Sequence, residues 1–213
     1  MERDNGRRRI PNQNDRYVLP WAIEFFMNWF NEPQEWKQEN DHLSIFADPR
    51  TDFWRKTHYG FVRHNGHFYY EKVTGNFEVE TQFRGKYQNL YDQAGVMIRL
   101  DESTWMKTGI EFVDGIHHVS AVVTRDYSDW SVVPFYCYPG FLRLKLKREG
   151  GAVTIEYCSE EGKWIMFRTA YLSHAQELEV GRMAAAPEGP GFEVLFSEYR
   201  VKHLNSSGTE LSF

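Results

Sequence analysis

The chain has little cysteine: Cys137 and Cys158 are the only two in 213 residues. Two isolated thiols make neither a disulfide framework nor a metal motif, so a pair of free thiols in a reducing compartment is the expectation. Nowhere does an apolar run approach the ~18 residues of a membrane-spanning helix. No apolar core of a secretory leader is visible near the start, so the reading is a soluble, cytoplasmic chain without a membrane partner. Charge of one sign is also scarce. The formal net charge is −5, a mild acidity that argues against a nucleic-acid partner. There is no alternation of strands with long helical patterns, which excludes a Rossmann-type fold, and no repeat at a fixed period.

What is present is aromatic surface. Phe, Trp and Tyr make up 16% of the chain, and many are Tyr and Trp, which pair a flat apolar face with a polar tip. Residues 1–16 are polar, carry Arg7, Arg8 and Arg9, and read as a solvated tail. Residues 17–213 read as one domain. Within it, residues 17–36 fit either a short helix or an edge strand, and about a dozen short strands joined by turns follow. That pattern predicts an all-β, two-sheet antiparallel sandwich or a barrel.

The clearest stretch runs from Tyr91 to Arg125. Side chains alternate along a strand, so Ala94, Val96, Ile98, Met106, Ile110, Val119, Ala121 and Val123 fall on one face. Gln93, Gly95, Met97, Arg99, Trp105, Lys107, Gly109, Glu111, His118 and Ser120 fall on the other. Asp114-Gly115 is a strong two-residue type I′ turn signal. It sets Glu111 opposite His118, Gly109 opposite Ser120, and Trp105 opposite Thr124. A loop at Asp101, Glu102 and Ser103 sets Arg99 opposite Trp105 and Gln93 opposite Glu111. Directly opposed residues must share a face, and this register satisfies that rule. A row of Gly95, Gly109 and Ser120 then forms a shallow trough, read either as a ligand floor or as the solvated outside of a curved sheet. Residues 126–128 read as a further three-residue turn, setting Thr124 opposite Trp130 and extending this face with a second Trp.

Other stretches carry chemistry less specifically. Residues 51–61 set Phe53, Trp54, Tyr59 and Phe61 beside Asp52, Arg55, Lys56 and His58. Such a mixture suits a sugar- or cation-binding wall, or a loop plugging the end of the sandwich. His64 and His67 lack the companions that a zinc site needs, so no metal is expected. Glu78 and Glu80 lie two apart on one strand, ~6.8 Å between Cα atoms. That separation falls within the carboxylate distances that glycosidases use, although a wet strand face explains it as well.

Residues 51–61, 91–99, 105–111 and 128–132 together resemble a widespread family with a concanavalin A-like (lectin/glucanase) jelly-roll fold. Its members include a yeast protein described as a regulator of enolase. The resemblance runs from about Trp29 to Val201. It implies two curved sheets, one concave, and related jelly rolls bind carbohydrate on the concave sheet. Similar domains are appended to some xylosidases. The family supplies no established catalytic residue, and the Glu-x-Asp-x-Glu run of the glucanases is absent here.

The resulting expectation is a non-enzymatic protein, with no cofactor, that binds a carbohydrate or small sugar metabolite. The site residues would be Gln93, Arg99, Trp105, Lys107, Glu111 and His118, with Trp54 and His58 at the rim and Trp105 stacking on the sugar. The alternatives are a protein-interaction regulator with a glycolytic-enzyme partner such as enolase, and a divergent glycosidase built on Glu111 or on Glu78 and Glu80.

Overall fold

The computed structural model describes residues 27–136 and 140–205. The polar tail at 1–16, the stretch 17–26 and Cys137 lie outside the described residues. Two seven-stranded antiparallel sheets make up the fold, a β-sandwich jelly roll. The first sheet runs β1 (Asn28–Phe30), β6 (His67–Thr74), β15 (Glu177–Ala185), β8 (Gln93–Arg99), β9 (Thr104–Val113), β10 (Ile116–Arg125), β11 (Tyr127–Pro134). The second runs β14 (Trp164–Tyr171), β13 (Ala152–Cys158), β12 (Leu142–Glu149), β7 (Phe77–Gly85), β16 (Phe192–His203), β3 (His42–Ala47), β2 (Glu35–Glu39). β4 (Phe53–Arg55) and β5 (Val62–His64) pair as a hairpin that hydrogen-bonds into neither sheet as a strand. The described part of residues 17–36 contains two strand segments, β1 and the start of β2, each at a sheet edge, and no helix.

Alternation drives the packing. Leu142, Leu144 and Leu146 point inward and are fully or almost fully buried, while Arg143 and Lys145 point outward to Glu80 and Glu156. Each buried Leu, Val or Phe contributes about 1.5–3 kcal/mol, whereas each exposed ion pair adds about 1 kcal/mol or less, so the apolar face decides the fold. The expected core face is the observed one. Ala94, Val96, Ile98, Met106, Ile110, Val119, Ala121 and Val123 pack in one cluster with Phe77, Val79, Phe83, Val194 and Phe196 of the facing sheet.

The register of the central strands matches the sequence reading, with Arg99 opposite Trp105, Gln93 opposite Glu111, and Glu111 opposite His118. Asp114 and Gly115 both take positive φ, 51° and 77°, as a type I′ turn demands. At the next turn the structure differs. Arg125 opposes Tyr127 across Asp126 alone, and Trp130 faces Val122 rather than Thr124. Asp126 adopts φ 64°, its carboxylate binds Arg55 and Lys56, and the opposed hydroxyls of Thr124 and Ser128 lie 2.8 Å apart. A shift of two residues keeps every side chain on its face, so alternation alone does not distinguish the two registers.

Candidate functional site

The outer face of the first sheet is not open. Residues 51–66 lie across it. Thr51 is anchored to the end of the sheet: its N–H donates to the Ala186 carbonyl at 3.3 Å and its hydroxyl accepts the Ala186 N–H at 2.9 Å. The Arg55 N–H donates to the Ser128 hydroxyl at 2.9 Å, which ties β4 to β11. Phe53 then descends onto Trp105, and with Phe68, Met97, Val122 and Met183 the two form a second core on this face. The expected trough is closed as well. A Cβ on Gly95 would lie 2.0 Å from the Thr108 carbonyl oxygen, and one on Gly109 would lie 1.9 Å from that of Ala94. The glycines allow close strand approach and leave only a dimple of about 10 Å³ beside Gly109 and Ser120.

A cavity of about 190 Å³ persists between the sheet and the hairpin. Its walls are aromatic: Trp54, Tyr59 and Phe61 from the hairpin, Tyr91 before β8, and Trp130 from β11. Its floor is polar, with Asp52, Gln93, Lys107 and Glu111. Arg63, Pro187 and Glu188 complete the lining.

The floor is a braced network. The Lys107 ammonium donates to the Phe53 carbonyl at 2.7 Å and to Gln93 Oε1 at 2.5 Å, and it lies 3.6 Å from Asp52 Oδ1. Gln93 Nε2 in turn donates to Asp52 Oδ1 at 3.3 Å and to the Tyr91 carbonyl at 3.1 Å. Glu111 is only 6% exposed. Its Oε2 accepts from the Ser120 hydroxyl at 2.6 Å and from the Trp130 indole at 2.9 Å. Burial pushes the Glu111 carboxyl above its ordinary value, against the opposing pull of Lys107, Ser120 and Trp130. Buried polar groups carry a large penalty unless they are hydrogen-bonded, so a charged floor beneath aromatic walls needs this bracing to persist.

The walls are latched too. The Tyr59 and Tyr91 hydroxyls lie 3.3 Å apart, and this contact, with burial, pushes Tyr91 up to about 12. Tyr91 holds φ at 67°, a left-handed conformation rare for an aromatic residue. Lys56 and His58 share such conformations in the hairpin tip, and Asp126 holds Lys56 at 2.7 Å and Arg55 at 3.0 Å.

Of the residues expected to form the site, Trp54, Gln93, Lys107 and Glu111 come together around the cavity. His58 is exposed and lines an open groove on another side of Trp54, shared with Asp129. Trp105 is fully buried under Phe53, so it is not the stacking platform expected of it. Arg99 turns away to Glu179 at 2.5 Å and lies over the Phe30 ring at 4.4 Å. His118 meets the carbonyl of Ile116 on its own strand at 3.0 Å and does not line the cavity. Glu78 and Glu80 sit on β7 of the other sheet, where Glu80 pairs with Arg143 and Glu78 faces Lys147. His67 is structural: its ring accepts the Asp48 N–H and meets the Asn31 carbonyl. Among the described residues no group of three or more His, Cys, Asp or Glu is placed to hold a metal.

Asp52, Tyr59, Phe61 and Tyr91 join the site without having been singled out as ligand contacts. The mixed aromatic and charged run at 51–61 was the available signal for the first three. Tyr91 opens the 91–99 stretch that carries the family resemblance, but that resemblance gives it no ligand role.

The family model described as "Protein of unknown function (DUF1349)" matches residues 29–204. Regulation of enolase protein 1 of Saccharomyces cerevisiae is 37% identical over 173 residues, 81% of this chain and 87% of that protein. A crystal structure described as a functionally unknown protein from Saccharomyces cerevisiae superposes with a TM-score of 0.81 at 36% identity, covering 84% of this chain and 97% of that one. A GH43 protein from Bacillus licheniformis superposes at 0.65 with 12% identity, covering 84% of this chain but 37% of that one. At that identity the likeness is one of fold alone.

Proposed function

The chain belongs to the DUF1349 family of proteins of unknown function, and from that premise we propose that it is a non-enzymatic binding protein for one sugar-sized polar metabolite. The observation that carries this reading is the cavity itself: aromatic walls over a buried floor of Asp52, Gln93, Lys107 and Glu111. Ligand sites are concave and mostly apolar, with a few convergent polar groups, and this cavity has that anatomy. At about 190 Å³ it falls below the roughly 300–1000 Å³ of drug-sized sites, which favours a single sugar ring over an oligosaccharide. Binding is favoured over hydrolysis because the two floor carboxylates, Asp52 and Glu111, each keep one oxygen in fixed hydrogen bonds and Lys107 is already occupied by its acceptors.

A thermal-shift screen of monosaccharides, sugar acids and sugar phosphates tests this. A hit should raise the melting temperature of the wild type and not that of Glu111→Gln. If no compound does so, or if the variant responds equally, the reading fails.

A second reading has one observation in its favour, the name of the 37% identical yeast relative, Regulation of enolase protein 1. On that reading this chain contacts a glycolytic enzyme, with or without a ligand in the cavity. Co-purification with enolase that survives Glu111→Gln and Trp54→Ala would favour contact through another surface.

A further inference from the structure

The aromatic walls stand at steep angles to one another. Trp54 and Trp130 meet at 88° with centroids 6.4 Å apart, Tyr91 and Trp130 at 78° and 6.2 Å, and Trp54 and Tyr59 at 66° and 5.7 Å. A flat platform suits a neutral sugar ring. Rings set at such angles enclose a space from several sides, the arrangement in which aromatic faces hold a compact cation.

The floor offers acceptors rather than donors. Asp52 Oδ1 takes the Phe53 N–H and Gln93 Nε2, and Glu111 Oε2 takes Ser120 and Trp130. Among the described residues no hydrogen bond reaches Asp52 Oδ2 or Glu111 Oε1. The floor's one cation, Lys107, already engages the Phe53 carbonyl and Gln93 Oε1 and faces Asp52. Arg63 lies over the Phe61 ring at 4.8 Å. The charged lining is three acids, Asp52, Glu111 and Glu188, against two bases, Arg63 and Lys107. Lys107 acts on the buried Glu111 through space, but the hydrogen-bond donors that Glu111 contacts, Ser120 and Trp130, are both neutral. A hydroxyl would give such a floor one proton. An ammonium gives it three and supplies the opposite charge.

We propose that the ligand carries a protonated amino group, held among Trp54, Tyr91 and Trp130 and against the free oxygens of Asp52 and Glu111. Resting on the sugar-binding reading above, this makes an amino sugar the fitting class. A second consequence concerns protons. Burial makes Glu111 hold its proton more tightly than an ordinary carboxyl does. An ammonium beside it favours the carboxylate, so binding draws the Glu111 carboxyl back down.

The test is calorimetric titration of the full chain at matched ionic strength and in two buffers of different ionisation enthalpy. Glucose, galactose and mannose are each compared with their 2-amino and 2-acetamido derivatives, and tetramethylammonium is included as a non-sugar cation. One 2-amino sugar should bind roughly tenfold more tightly than its neutral partners. Glu111→Gln should remove that preference. Should that variant fold poorly, Tyr59→Leu at the exposed hairpin tip should still weaken the amino sugar roughly threefold. Equal or tighter binding of the hydroxyl or acetamido sugars overturns the amine and leaves the sugar reading standing. Tetramethylammonium binding without any sugar keeps the cation and overturns the sugar. No binding by any probe overturns both.

Discussion

Trp130 donates its indole N–H to Glu111 Oε2 at 2.9 Å, joining the edge strand β11 to β9 across the intervening β10. This bond depends on the register at Asp126. Opposite Val122, Trp130 lies one row from Ser120, whose hydroxyl binds the same carboxylate oxygen. Opposite Thr124 it would lie at the far end of the strand. Trp130→Phe keeps most of the packing but leaves Glu111 one donor short in a buried site. It should cost about 1–3 kcal/mol in urea unfolding and raise the Glu111 carboxyl further.

Trp105 and Trp54 should separate structure from binding. Trp105→Ala removes a fully buried side chain from the second core and should cost about 3–5 kcal/mol in denaturant unfolding. Trp105→Phe should fold and keep ligand affinity. Trp54→Ala, at a partly buried wall position, should lose affinity with a smaller loss of stability. Equal affinity losses in Trp105→Phe and Trp54→Ala would show that Trp105 contacts the ligand.

Lys107→Met should be destabilising by about 2–4 kcal/mol, because it leaves Asp52, Gln93 Oε1 and the Phe53 carbonyl short of a donor in a buried site. Adding Asp52→Asn should recover part of that loss, since the abandoned charge disappears with it. A double variant no more stable than the single one would mean that Asp52 does not depend on Lys107.

The pH dependence has a definite sign. Burial raises the folded-state Glu111 carboxyl above its ordinary 4.5, so the folded chain holds this proton more tightly than the unfolded one. The stability it contributes is present in full below pH 4.5 and is lost as pH rises through the raised value. Glu71 and Asp92 are raised by burial in the same direction, so the wild type alone does not isolate Glu111. The difference in stability between wild type and Glu111→Gln, followed by urea unfolding from pH 4 upward, does. The wild type should lose ground against the variant as pH rises.

Asp126→Asn tests the tie on the hairpin tip. Asn tolerates the left-handed backbone at this position but does not offer Arg55 and Lys56 a charge. Melting should barely change, because the ion pairs are exposed. Amide exchange at Lys56 and Gly60, which donate to the Phe61 and Lys56 carbonyls, should quicken.

Much of this was legible in the sequence, and the limit has a physical cause. Alternation and one Asp-Gly turn gave the pairing of β8, β9 and β10 and the core face, because both are local properties of the chain. The fate of the opposite face was not local. It is decided by Phe53, which lies some fifty residues before Trp105 in sequence and covers it in the fold. Without that contact Trp105 reads as an exposed platform and Gly95 as the bottom of a trough. Lys107 and Glu111 were identified as site residues from their face, but their setting, a covered cavity with Asp52 and Tyr91, required the hairpin to be in place. The turn at Asp126 was misread by two residues for a related reason: its conformation is stabilised by Arg55 and Lys56, which alternation does not report.

The most direct test of the cavity as a ligand site is the indole N–H region of a two-dimensional NMR spectrum during titration with a monosaccharide that raises the melting temperature. Trp54 donates to the Thr57 carbonyl, Trp130 donates to Glu111, and the Trp105 N–H is buried without a partner among the described residues, so the three indoles occupy distinct environments. Saturable shifts of Trp54 and Trp130, with Trp105 moving far less, are the predicted result. Shifts confined to Trp36 and Trp164, on the two edge strands of the other sheet, would contradict it.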